Sequence, residues 1–168
     1  MDEKIIRSPI SFDPTIKGVK SIYFDVYGEP FAKQRPRAAR KGKFITIYTP
    51  RETKVYEDKV KKAYKQIYRY EKPLEGDLSV EIEGIFSIPK SIPKSKQKEM
   101  EEGKIPHTKK PDCDNMGKIC LDALNGVAYP DDAQINKLYI SKKYGKDAKI
   151  RITIKENKKD FDIEGDIT

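Results

Sequence analysis

The sequence predicts an α/β domain, in the broad sense that includes α+β, with about four to five strands packed on two main helices. Three observations predict it. Short stretches in which Ile, Val, Phe and Leu alternate with polar residues recur along the chain. Two longer stretches carry apolar residues at helical spacing. Gly, Pro and Asn punctuate the boundaries. The 168 residues suit one domain over 1–168, and 36% apolar residues, many of them Ile, Val and Tyr, suffice for one modest core.

The balance of charge narrows the partners. With 37% charged residues, a net charge of +8 and a pI near 9.2, the chain is built to meet a polyanion such as nucleic acid or an anionic membrane surface. No apolar run reaches the roughly 20 residues of a membrane span, and Met1-Asp2-Glu3-Lys4 lacks the apolar core of a signal peptide, so no membrane partner is expected. Cys113 and Cys120 are the only cysteines and make no disulfide framework, which points to a reducing cytoplasm. One His and no Trp leave a His/Cys zinc site without ligands, so any metal is held by oxygen.

In chain order, residues 1–20 show no periodicity and are expected to form a loosely packed arm. Ser21 to Tyr27 alternates through Ile22, Phe24 and Val26 and predicts a strand that Gly28 and Pro30 end. From Pro30 to Arg51 the chain carries Lys33, Arg35, Arg37, Arg40, Lys41, Lys43 and Arg51 and no acid. Phe44 to Tyr48 reads as a second strand, which makes Lys33 to Lys43 a basic loop. Bases and acids alternate almost everywhere else, so this run reads as a phosphate-binding surface more than as an ordinary solvated face. The proline in Arg35-Pro36-Arg37 stiffens it.

Pro50 to Arg69 predicts a helix, with Thr53 as its cap and Tyr56, Val60, Ala63, Tyr64 and Ile67 as its buried stripe. Asp77 to Ile88 predicts a long strand with a bulge at Gly84. Pro89 to Ile105 is a Lys-rich excursion with a short helix near Lys94 to Glu102, and His107 reads as a surface residue. Asn115 to Leu124 predicts the second helix, buried through Met116, Ile119, Cys120, Ala123 and Leu124 and stopped at Asn125-Gly126. Strands follow near Asn136 to Lys142 and Lys149 to Glu156, with Tyr144-Gly145-Lys146-Asp147 as a hairpin turn between them. From residue 157 the chain is expected to fray.

The chemistry concentrates around Lys109-Lys110-Pro111-Asp112-Cys113-Asp114-Asn115 and Pro130-Asp131-Asp132-Ala133-Gln134. If the first stretch is extended, Asp112 and Asp114 face one side and Cys113 the other. Lys118 lies one helical turn past Asp114. The helix from Asp114 to Leu124 covers about 16 Å. The eight steps from Leu124 to Asp132 reach at most about 26 Å. The chain can therefore bring Asp132 back to the helix start, and three carboxylates are expected to converge. Gathered carboxylates repel and raise one another's pKa, a cost that a hard divalent cation removes. Mg²⁺ suits such a donor set, with Mn²⁺ as a substitute, and can polarise a phosphate and activate water. Lys118 is placed to orient that water or to meet developing charge. On spacing alone, an Asp serving as helix cap and Asp131-Asp132 as a polar turn account equally for these acids. Asp122 lies two turns past Asp114 and reads as a partner for Lys118 or for solvent.

These residues also carry a resemblance. Lys110-Pro111-Asp112-Cys113-Asp114-Asn115, Lys118, Leu121-Asp122-Ala123-Leu124-Asn125-Gly126 and Asp131-Asp132-Ala133-Gln134 resemble the signature of the RusA family of Holliday junction resolvases. Gly28-Glu29-Pro30, Lys33, Arg35-Pro36-Arg37, Tyr48-Thr49-Pro50 and Thr53 resemble the first half of its Bacillus and phage-type members, so the likeness runs from about residue 22 to 155. It implies a mixed sheet, a homodimer, and a Mg²⁺-dependent endonuclease that resolves four-way DNA junctions by paired symmetric nicks. It implies that Asp112, Asp114 and Asp132 bind metal, with Asp131 beside them, and that Lys118 serves catalysis. Lys33, Arg35, Arg37, Arg40, Lys41, Lys43 and Lys110 are then the residues expected on DNA. The Lys-rich excursion departs from the shortest members. Other readings stay open: a nuclease for flaps or other branches, a DNA-binding protein without catalysis, and a haloacid-dehalogenase-like phosphatase. The last also uses Asp-x-Asp but places it after an apolar strand, where this chain has Thr108-Lys109-Lys110-Pro111.

Overall fold

The structure, a computed structural model, describes residues 20–157. The arm expected at 1–20 and the tail expected from 157 lie, but for Lys20 and Asn157, outside the described residues. The strands are β1 (Ser21–Tyr27), β2 (Arg37–Lys41), β3 (Phe44–Tyr48), β4 (Leu78–Ser87), β5 (Ile135–Gly145) and β6 (Lys149–Glu156). The helices are α1 (Arg51–Tyr68), α2 (Lys94–Glu101) and α3 (Cys113–Leu124), and a 3₁₀ turn spans Asp132–Gln134. The expected α/β class is what the structure shows. Four strands form a mixed sheet in the order β1-β6-β4-β5, and β2 and β3 form a separate two-stranded ribbon.

The sheet follows from where the apolar side chains lie. In β4, Leu78, Val80, Ile82 and Phe86 are buried on one face, and Ile85 adds burial on the other. The strand with the most to bury takes the centre, with β6 antiparallel on one side and β5 parallel on the other. The expected β5–β6 hairpin is therefore corrected. The two strands are consecutive in sequence, yet β4 lies between them. β5 suits an edge, because its residues 136–139 are exposed. On the far face, Lys149 and Arg151 reach Asp25 at 2.7 and 3.1 Å, and Lys143 reaches Glu83 at 2.7 Å. These cross-strand pairs fix register on the polar side more than they add stability.

Helices α1 and α3 contact each other, α1 covering β1 and α3 covering β5. Between them and the sheet lie Phe24, Ile82, Ile119, Leu124, Ile150, Ile152 and Ile154, each with relative exposure of 0%. Helix α1 buries Thr53, Tyr56, Val60, Tyr64 and Tyr68 at the i, i+3, i+4 spacing of an amphipathic helix. This amends two expectations. Tyr68 belongs to the stripe in place of Ile67, which is 40% exposed, because the Tyr68 hydroxyl accepts from Tyr23 N and donates to Tyr23 O. Thr53 is no cap, since Pro50 occupies that position. Instead its hydroxyl accepts from Gln34 N at 3.3 Å.

Gly84 is no bulge either. The ladders run through it unbroken, and the one shift falls between Leu78 and Ser79. Its lack of a side chain serves packing, because a Cβ there would meet Met116 Sδ at 2.6 Å. His107 is buried, with 8% exposure, stacked on Phe86 at 3.8 Å between ring centroids. Burial and then the Lys142 ammonium hold its pKa below the usual value.

Burial also separates the two cysteines. It pushes the Cys120 thiol up to about 12, whereas Cys113 is half-buried at the first residue of α3. A thiol reagent near neutral pH is expected to modify Cys113 in the native protein and Cys120 only after unfolding. Mass spectrometry with and without denaturant checks this, and equal labelling in the native state would contradict the packing of α3.

Candidate active site

The approach to the acids is fixed from beneath. After His107 the chain crosses the end of β5, where Lys142 Nζ donates to the carbonyls of Lys109 and Pro111 at 2.7 and 2.8 Å. One ammonium thus clamps both residues flanking Lys110, immediately before Asp112. No pattern in the sequence points to Lys142, because its role depends on β5 lying under this segment. Lys142→Met is expected to cost about 1.5–3 kcal/mol of local stability, the range for hydrogen bonds to a charged group. The readout is faster amide exchange from Thr108 to Asp112 with the melting temperature nearly unchanged. Unaltered exchange would show that the clamp does not hold the segment.

Helix α3 begins at Cys113, two residues earlier than expected, so Asp112 and Asp114 straddle its start and do not share an extended strand. Asp112 is the N-cap by backbone, with φ −71° and ψ 149°, and its carbonyl accepts from Met116 N at 3.0 Å. Its carboxylate makes no capping bond, so the structure does not spend that acid on the cap. Asp114 lies in the first turn, where the helix dipole favours negative charge. Both are exposed, as is Lys118 one turn on. Among the described residues, no ion pair or side-chain hydrogen bond engages Asp112, Asp114, Lys118 or the Asp132 carboxylate.

The inner face of α3 buries Met116, Ile119, Cys120, Ala123 and Leu124, as the spacing predicts. Gly117 is buried as well, because a Cβ there would collide with Ile140 of β5. Gly84 and Gly117 together let the start of α3 sit close on β4 and β5.

The return from α3 is tight. Val127 N and Ala128 N both donate to Leu124 O at 2.9 Å, and the Tyr129 hydroxyl donates to Leu121 O at 3.0 Å. Tyr129 is fully buried, the bulkiest of the residues so enclosed. Burial and then the charge of Asp132 push its phenol pKa up. In the following turn Asp131 accepts from Ala133 N at 2.9 Å, Gln134 accepts from Asp131 N at 3.1 Å, and Gln134 donates to Gly76 O at 3.0 Å. Asp131 and Gln134 build the turn, and among the described residues nothing engages the Asp132 carboxylate.

Among the described residues no three Asp, Glu, His or Cys groups stand together as a metal-holding cluster. The return loop docks on Leu121, two turns past Asp114, because the Tyr129 ring fills the buried space there. The donor chemistry nevertheless suits a hard cation. Mg²⁺ is commonly held by one or two carboxylates, with waters and substrate phosphates completing its shell, and the exposed pair at the start of α3 offers that much.

The cations divide into two groups. Lys33 N donates to Asn115 O at 2.9 Å, and Lys33 Nζ contacts Asp122 and lies 3.3 Å from Glu57. Burial lowers the Lys33 pKa, and the two carboxylates outweigh burial and leave it raised. Asp122 is thus the partner of Lys33, not of Lys118, and Lys33 pins the segment before β2 across α1 and α3. By contrast Arg35, Arg37, Arg40, Lys41, Lys43 and Lys110 are exposed. Arg37 to Lys41, expected in a loop, is strand β2, and it leads through Gly42, at φ 65°, and Lys43 into β3. Residues with little to bury still pair here, because a two-residue turn with Gly at positive φ closes the hairpin.

An α/β domain that sets unengaged carboxylates at a helix start, beside an exposed cationic ribbon rooted on the same helix, is a domain equipped to handle a polyanion next to acids. The chain belongs to the Endodeoxyribonuclease RusA family, whose model matches residues 27–155. It is also similar to the uncharacterized protein YqaN of Bacillus subtilis (strain 168), with 35% identity over 137 residues, covering 80% of this chain and 96% of that one.

Proposed function

We propose that the protein is a Mg²⁺-dependent, structure-selective endodeoxyribonuclease that resolves four-way DNA junctions by paired symmetric nicks, in DNA recombination and repair. One observation carries this reading: the Asp112 and Asp114 carboxylates are unengaged at the start of α3, and Lys33 N on Asn115 O roots the cationic ribbon beside them. Family membership agrees with it. Asp112 and Asp114 would hold the divalent ion, and Asp132 would be the third acid of the site. When bound, the ion supplies charge neutralisation at the scissile phosphate and a more acidic water. Lys118 meets the charge that develops on the phosphate. Arg35, Arg37, Arg40, Lys41, Lys43 and Lys110 hold the backbone, so affinity falls with added salt. Two such sites, related by the two-fold axis of a homodimer, match the symmetry of a four-way junction.

A binding protein without catalysis is the second reading, favoured by the exposed, acid-free cationic ribbon. Incubation with a synthetic four-way junction and with matched duplex, with and without Mg²⁺, separates the two. Paired nicks in opposite strands of the junction, dependent on the metal, are expected. Tight binding with no nicking under Mg²⁺ or Mn²⁺ would leave the binding protein, and preferential cutting of flaps would move the substrate to other branches.

A further inference from the structure

We infer that the β2–β3 ribbon is a wedge whose tip, Phe44, stacks on a base at the branch point of the DNA. This rests on the functional reading above and goes beyond its charge contacts. All ten residues of the two strands are exposed, and Phe44, Ile45 and Ile47 are 78%, 73% and 73% exposed. A soluble chain that leaves such a group bare has a partner for it. The register sets Lys41 beside Phe44, Arg40 beside Ile45 and Arg37 beside Tyr48, so cations sit next to the exposed apolar groups. From residue 30 to 51 the chain has no acid to answer them.

That mixture fits DNA, and it fits a second copy of the chain poorly. A second copy brings +8 of charge and another acid-free ribbon, and like charges set side by side repel. DNA offers phosphates to the cations and base faces to the apolar groups, the pattern of side chains that enter an opened step. The five paired residues carry the tip about 13 Å from the start of the ribbon at Arg37. Four residues earlier Lys33 bonds to Asn115, which adjoins Asp114. The ribbon can therefore hold the branch open while the backbone beside it lies at the acids.

The chain has no Trp, so Phe44→Trp installs a single reporter at an exposed position. With EDTA present to prevent cutting, its fluorescence is expected to be quenched by a four-way junction and much less by duplex of the same sequence. Phe44→Ala is expected to weaken junction binding about tenfold, within the range for loss of one stacked base, with duplex binding nearly unchanged. A junction that is bound and cut while the introduced indole stays unquenched overturns the wedge and leaves the nuclease standing. No binding to either DNA by the unaltered protein overturns both. Sedimentation without DNA supplies the other arm: if Phe44→Ala or Ile47→Ser breaks an oligomer into monomers, the ribbon covers a second copy and the wedge is wrong.

Discussion

Asp112→Asn is expected to lower junction cleavage on the order of a thousandfold, the several kcal/mol that a well-placed metal ion contributes to a transition state. Junction affinity should be unchanged or slightly tighter, because a negative charge is removed from a surface that meets phosphates. Folding should survive, since the backbone of residue 112 makes the cap bond to Met116 N and the carboxylate makes none. Asp114→Asn should behave alike. The turn beyond the helix gives the internal comparison. Asp132→Asn should impair cleavage more than stability. Asp131→Asn should act mainly on stability, through its bond to Ala133 N. Cleavage rates, binding constants and thermal melts on the four variants decide it. Full cleavage by Asp112→Asn would sink the assignment of the acids.

Tyr129→Ala is expected to cost about 3–5 kcal/mol, the range for truncating a large buried aromatic side chain. That is a sizeable part of the ~5–15 kcal/mol that holds a domain folded. The ring is fully buried, and its hydroxyl closes the loop from α3 onto Leu121. The same change frees the turn that presents Asp132, so activity should fall more than the folded fraction does. Tyr129→Phe keeps the ring and loses the hydroxyl, at about 1 kcal/mol for one hydrogen bond. Denaturant melts read the first effect, and cleavage normalised to folded protein reads the second. Equal losses in both would mean that the loop does not position Asp132.

The sequence showed the acids more clearly than their arrangement. Asp112, Asp114 and Asp132 stood out because carboxylates are conspicuous in a cationic chain, and α3 followed from its apolar spacing. Tyr129 and Lys142 left no such mark. An aromatic after Asn125-Gly126 reads as a loop residue until the loop is seen to close on Leu121, and Lys142 looks like one more surface lysine until β5 passes under Pro111. Lys33 misled in the opposite direction, for it belongs by sequence to the basic run and by contact to Asp122 and Glu57. The reach of the chain allowed Asp132 to return toward the start of α3, but reach says nothing of what holds the return in place. The buried ring of Tyr129, bonded to Leu121, does that.

What the sequence determined by itself is local. It set the strands and helices that arise from side-chain period, the stops at Gly and Pro, the acids on either side of an α3 start, and the run of cations without acids. Which of these meet was settled by packing. β4 entered between β5 and β6 because it has the most apolar surface to bury, and the basic segment paired into an exposed ribbon because a glycine turn closed it. Two glycines let α3 settle onto the sheet, and a lysine from a strand fixed the approach to Asp112. Those outcomes depend on competition among distant segments for the same buried space, and no window of sequence contains that competition.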